Sequence, residues 1–175
     1  PEIKRPAWHR SEGIDISPII LQLLDDLGYR TKADPIYLQC FDAAEVRRLR
    51  LDLGCKLKLI QLLAENSWGE SETDYDQLMT PEGLNSLASV VDGVGPWLAH
   101  LVKLAEVDGQ PVSTGLVSAA HAAGLKVHPY TFRADQLAPG FENMTEMVAW
   151  FVETLGIDGL FTDFPDMALA ALDVR

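Results

Sequence analysis

Apolar positions along the chain fall into two alternating patterns: short continuous runs, and longer stretches in which they recur every three or four residues. Residues 36–41, 57–63, 89–95, 125–132 and 157–161 are of the first kind and predict strands buried on both faces. Residues 1–4 read as the end of another. The second kind predicts helices. Ser17 caps one, with Pro18 in its first turn; Ile19, Ile20, Leu23, Leu24 and Leu27 make its stripe, and Gly28 ends it. Asp42 with Glu45 is a capping-box start. Val46, Leu49 and Leu53 then face inward, and Gly54 stops the helix. Thr80-Pro81 opens a short helix, and residues 97–104 predict a helical turn or more. Residues 114–123 form a small-residue helix closed by Gly124. Residues 143–155 put Val148, Phe151, Val152 and Leu155 on one side, and 165–172 form a last helix. The acidic stretch 64–80, with Glu65, Glu70, Glu72, Asp74 and Asp76, reads as a surface loop, and 135–141 as another.

Strands beginning near 2, 36, 57, 90, 125 and 157 are separated by 34, 21, 33, 35 and 32 residues. Each interval has room for a helical crossover, so the sheet is expected to be parallel. Six βα units fit a doubly wound sheet or most of an eight-stranded barrel. No Gly-x-Gly-x-x-Gly or P-loop follows a strand, which weakens the nucleotide-binding version. With no repeat and no linker, residues 1–175 read as a single domain.

Composition narrows the function. The 175 residues are 47% apolar and 23% charged, which excludes a disordered chain. No apolar run approaches the roughly 18 residues of a membrane span. Lys and Arg total 14 against 26 Asp and Glu, a formal charge of −12, and no basic stripe interrupts it; nucleic acid is excluded as a partner. Cys40 and Cys55 are too few for a disulfide framework or a cysteine zinc site and read as buried thiols, with a single bridge between them left open. The chain opens Pro-Glu-Ile-Lys with no initiator Met and no signal-peptide pattern, so an internal piece or a processed product is expected.

Both parallel architectures place their sites at the C-terminal ends of strands. There the sequence puts Glu2 and Lys4; Gln39, Phe41 and Asp42; Gln61 and Glu65; Gly95 and Pro96; Tyr130, Thr131 and Arg133; and Thr162, Asp163 and Phe164. Residues two apart on a strand share a face, so Glu2 and Lys4 point the same way. Facing inward, the carboxylate takes a hard cation and the ammonium a phosphate oxygen. Facing outward, they are two solvated charges. His100 and His121 read as surface residues and His128 as structural. Asp163 either braces the last loop or caps the helix beginning at Pro165, the cap being favoured. The four tryptophans read as packing residues.

Four segments then occur in order: Pro1-Glu2-Ile3-Lys4, Tyr37-Leu38-Gln39-Cys40-Phe41-Asp42, His128-Pro129-Tyr130-Thr131-Phe132-Arg133, and residues 158–166 from Asp158-Gly159-Leu160-Phe161 through Thr162-Asp163-Phe164-Pro165-Asp166. Together they resemble the glycerophosphodiester phosphodiesterase family, above all its bacterial periplasmic branch, over essentially the whole chain. The resemblance implies an α/β fold, a TIM-type barrel, and hydrolysis of a small-molecule glycerophosphodiester to an alcohol and glycerol 3-phosphate. It implies a divalent cation, calcium with magnesium as the alternative, held by three acidic residues of which Glu2 is one. Lys4 then lies near the phosphate, Arg133 helps to offset its charge, Tyr130 lines the substrate pocket and Phe164 is a candidate for the same wall. A periplasmic or secreted location also comes from the resemblance alone.

The family's His-Arg-Gly strand, its Glu-x-Asp pair and its second histidine have no counterpart here; His9-Arg10-Ser11 follows Glu2 and is not that motif. The expected fold is therefore an incomplete barrel, roughly strands three to eight, without acid–base histidines and with one of three acidic ligands. The first reading is a segment of such an enzyme, inactive alone. The alternative is a non-catalytic domain that binds glycerophosphodiesters or sugar phosphates. Two unpaired strand edges, at Glu2 and at Ile157, predict aggregation or marginal stability.

Overall fold

Asp42 shows how locally some elements are set. Its carboxylate accepts from Ala44 N at 3.0 Å and Glu45 N at 3.1 Å, and so starts a helix directly after a strand. The computed structural model describes residues 1–173, and these fall into two compact units. The first is Pro1–Val94 with Ala123–Leu125; the second is Gly95–Ala122 with Lys126 onward. The expected single domain also takes in residues 174 and 175, which lie outside the described residues.

The first unit runs through α1 (Pro6–Ser11), α2 (Ile16–Asp26), β1 (Tyr37–Cys40), α3 (Ala43–Leu51), β2 (Lys58–Leu63), α4 (Tyr75–Leu78) and α5 (Pro81–Leu87). Its strands pair in parallel, as the spacing predicted. Ile3 N donates to Gln39 O at 2.9 Å and Gln39 N to Pro1 O at 3.0 Å, which sets Glu2 beside Gln39. Tyr37 to Cys40 lie opposite Lys58 to Gln61, and Asp92 N continues the ladder to Leu59 O at 2.8 Å. Leu38, Cys40, Leu59, Ile60 and Leu63 are buried from the strands, and Val46, Leu49 and Leu84 from the helices.

Three local expectations fail here for tertiary reasons. Asp15, not Ser17, precedes α2, and Ser17 lies buried inside the helix. Of the α2 stripe only Leu24 is buried; Ile19, Leu23 and Leu27 are 57%, 51% and 64% exposed, because helical periodicity marks an apolar face without saying what covers it. Glu45 does not close a capping box. Its buried carboxylate takes Arg48 Nη1 at 2.8 Å and an Arg10 guanidinium nitrogen instead. The acidic stretch 64–80 is also more ordered than a loop. Asn66–Trp68 is a 3₁₀ turn, Asp74 caps α4 through Gln77 N at 3.1 Å, and Tyr75 is fully buried. Cys40 and Cys55 are both free thiols, so the open question of a bridge closes against it.

β3 (Gly93–Pro96) carries the chain into the second unit, which holds β4 (Val102–Leu104), β5 (Pro111–Ser113), α6 (Leu116–Ala122), β6 (Lys126–Val127), α7 (Met144–Trp150) and α8 (Pro165–Asp173). The expected strand 125–132 is regular only at its start, because Pro129 has no N–H to give. Single parallel bridges, Trp97 with Tyr130 and Phe132 with Thr162, carry the pairing onward. The expected helix 97–104 is a 3₁₀ turn at Leu98–His100, after which β4 and β5 form an antiparallel hairpin. The signal for that hairpin was Asp108-Gly109, with Gly109 at φ 69°. The expected helix 143–155 is α7 continued by a π-helical stretch, Phe151–Leu155. Phe132 and Phe151 meet edge to face at 5.1 Å in the core.

Candidate functional site

The first unit places Glu2 and Gln39 on one face. Parallel partners project to the same side of a sheet, about one strand spacing of 4.8 Å apart, and these two residues share a bridge. Between Glu2 and Lys4, Ile3 points the other way and is 1% exposed. Glu2 and Gln39 are half-buried, and Lys4 is exposed. Glu2 Oε1 and Gln39 Oε1 are each buried with no hydrogen-bond partner among the described residues. An unmet buried acceptor costs about 1–3 kcal/mol, so the pair is held ready for a donor or a cation. No group of three or more His, Cys, Asp or Glu side chains is arranged for a metal ion among the described residues. Glu2 fits such an ion as one hard oxygen donor.

Neighbouring polar residues are spent on structure. Gln61 is fully buried, and its Nε2 donates to Phe41 O at 2.8 Å and Leu62 O at 2.9 Å, fixing the turn after β1. Tyr75 donates to Phe41 O at 3.3 Å. Asp42, at a strand end and read as a site candidate, is the cap of α3. Burial pushes the Cys40 thiol up to about 12, which leaves it an inert packing group.

The second unit holds the remaining candidates. Tyr130 is half-buried, its N donating to Pro96 O at 3.1 Å and its O accepting from Leu98 N at 3.0 Å. Arg133 is already committed: Nε and Nη2 bond Asp135 at 2.9 and 2.8 Å, and Nη1 bonds Asp163. These bonds hold the Asp135 carboxyl below the usual carboxylate range. A phosphate approaching Arg133 would compete with both carboxylates. Asp163 is thus paired with Arg133 and braces the last loop, the less favoured of its two expected roles. Phe164 is half-buried; its N donates to Thr162 Oγ1, which in turn donates to Phe132 O, both at 2.9 Å. His128 packs on Gly159, where an added Cβ would stand 3.0 Å from the imidazole, so its structural reading has a steric basis. His121 is exposed but bonds Asp158 at 2.8 Å, alongside Lys126 Nζ at 2.6 Å and Val127 N at 2.9 Å. Burial raises the Asp158 carboxyl, but these three donors outweigh it and the net shift is downward.

Within the first unit, then, Glu2 and Lys4 share a segment with Gln39 alongside. Within the second, the segments carrying Tyr130, Arg133 and Phe164 are bonded to one another. Sequence reasoning placed Gln39 at a strand end but gave it no role; its two-residue parity with Phe41 and the Gln in Tyr-Leu-Gln-Cys-Phe-Asp were the signals available. Of the Arg10–Glu45–Arg48 network, only the three-residue Glu45–Arg48 spacing was visible in the sequence. No helix among the described residues is long and apolar enough to cross a membrane.

Known proteins bear on this arrangement. The profile of the Glycerophosphoryl diester phosphodiesterase family matches residues 2–167. A glycerophosphodiester phosphodiesterase of Haemophilus influenzae is 35% identical over 187 aligned residues, covering 98% of this chain and 51% of the relative. One of Treponema pallidum is 31% identical, covering 98% of this chain and 52% of the relative. The chain therefore spans about half the length of these curated relatives. A solved structure from Silicibacter pomeroyi, described as a glycerophosphoryl diester phosphodiesterase, superposes with a TM-score of 0.66 at 20% identity, over 99% of this chain and 49% of the other. That likeness speaks to the fold.

Proposed function

The chain belongs to the glycerophosphoryl diester phosphodiesterase family, and from that premise we propose that it is the C-terminal part of a metal-dependent enzyme hydrolysing glycerophosphodiesters to an alcohol and glycerol 3-phosphate. On this reading the 175 residues correspond to strands three to eight of a TIM-type barrel and do not turn over alone. The observation that carries it is the buried, unpartnered Glu2 Oε1, with the exposed Lys4 two residues on. Glu2 supplies one oxygen ligand to a divalent cation, calcium or alternatively magnesium. When bound, such an ion offsets phosphate charge and lowers the pKa of a coordinated hydroxyl or water. Lys4 takes a phosphate oxygen through its mobile ammonium and offsets charge on the transferring phosphoryl group. Tyr130 and Phe164 form apolar wall for the substrate. Arg133 assists only by loosening its hold on Asp135 or Asp163. A periplasmic or secreted location is part of the reading and rests on the motif likeness to the periplasmic branch.

The test is calorimetry and turnover with glycerophosphocholine, with and without calcium. The reading expects calcium-dependent binding weakened in Glu2→Gln, and no product. Robust turnover lost in Glu2→Ala would show that the segment carries its own catalytic groups. Tight binding that ignores calcium would favour the non-catalytic binding domain.

A further inference from the structure

The two glutamines of the first unit's strands differ at their amide nitrogens. Gln61 is fully buried and its Oε1, like that of Gln39, has no partner among the described residues, but its NH₂ group is shared among backbone carbonyls. Gln39 is half-buried, and its amide makes no hydrogen bond among the described residues, although Oε1 is closed off from solvent. Its backbone is held on both counts, N to Pro1 O and O from Ile3 N, so the side chain is fixed in register beside Glu2. Beyond Gln39 the strand is closed by Cys40, which projects to the other side and is 0% exposed. The result is a rigidly placed amide with an unmet acceptor and free donors, next to a carboxylate with an unmet acceptor.

The chemistry of the two side chains differs in a way that sorts their ligands. A carboxylate only accepts, which suits a cation. A primary amide both donates and accepts, which suits an alcohol hydroxyl, a group with the same two capacities. Resting on the functional reading above, we propose that Gln39 is a specificity-determining residue that hydrogen-bonds a hydroxyl of the glyceryl group beside Glu2. A site built to hydrogen-bond a hydroxyl rejects an analogue lacking it, because its own polar atoms are left unpaired.

Calorimetry of the chain in calcium tests this with glycerol 3-phosphate and propyl phosphate, which differ by the two hydroxyls. The parent should prefer glycerol 3-phosphate by about tenfold, the worth of one good hydrogen bond. In Gln39→Leu that ratio should fall to about one, and Gln39→Met should behave alike, which guards against a folding defect in either variant. A ratio kept in both variants, or a parent that does not distinguish the two phosphates, overturns the role of Gln39 while leaving the family activity standing. A parent that binds neither phosphate sinks the functional reading itself, and this inference with it.

Discussion

Two carboxylates of the first unit, one buried and one half-buried, stand in contrast. Glu45, whose side chain is 0% exposed, is met by guanidiniums from two helices, Arg10 of α1 and Arg48 of α3, and Arg48 reaches on to Asp15 at 3.2 Å. Glu2 leaves Oε1 buried with no partner. The described residues therefore bring positive charge to a carboxylate that holds its helices together and form no ion pair with the one at its strand end. An unpaired buried acceptor opposes folding, and the cation proposed above would relieve it.

The largest effect is expected at Glu45. Glu45→Ala takes the carboxylate from Arg10 and leaves Arg48 with Asp15 alone, and should cost about 2 kcal/mol, within the range for hydrogen bonds to charged groups, read by urea unfolding. A cost below about 1 kcal/mol would erase the contrast. Glu2→Leu should do the reverse, stabilising by about 1 kcal/mol through relief of the unmet acceptor. A loss of stability there would mean that Glu2 is paired within the chain.

Acid sharpens the same contrast more gently. The Arg48 hydrogen bond is the main reason that the Asp15 carboxyl sits below its ordinary value. A depressed folded pKa contributes stability above the unfolded value of about 3.9 and loses it as pH falls through the folded one. Melting temperature should therefore drop from about pH 4 downward, and less steeply in Asp15→Asn. The smallest effect is expected at Arg133→Ala. Its pairs with Asp135 and Asp163 are exposed, and such pairs add little, so melting should not change measurably. Calorimetry of the same variant with glycerol 3-phosphate reads whether Arg133 meets phosphate at all.

Much of this was open to reading beforehand. Parallel pairing of β1 and β2 followed from the length of the crossover between them. The starts of α3 and α5 followed from Asp42 and Thr80, since a cap acts within three residues. The Glu2 and Lys4 candidates came from alternation and from the motif set. The β4–β5 hairpin was missed because a helical turn and two short strands share one apolar pattern over so few residues. The unmet acceptor of Gln39 was not foreseen, because an amide in a sequence carries no sign of whether its hydrogen bonds are filled.

Period, caps and motif order are local properties, and from them the chain alone specified alternating strands and helices and membership among phosphodiesterases, and pointed to a carboxylate and an ammonium two residues apart as candidates. Pairing is not local. Arg10 lies 35 residues from Glu45, and Arg133 lies 30 from Asp163. Only the folded arrangement could decide that Glu45 is filled and Glu2 is not, that Arg133 is already held by carboxylates, and that most of the α2 stripe faces outward. Burial and hydrogen bonding depend on which distant residues meet, and one-dimensional spacing does not carry that information.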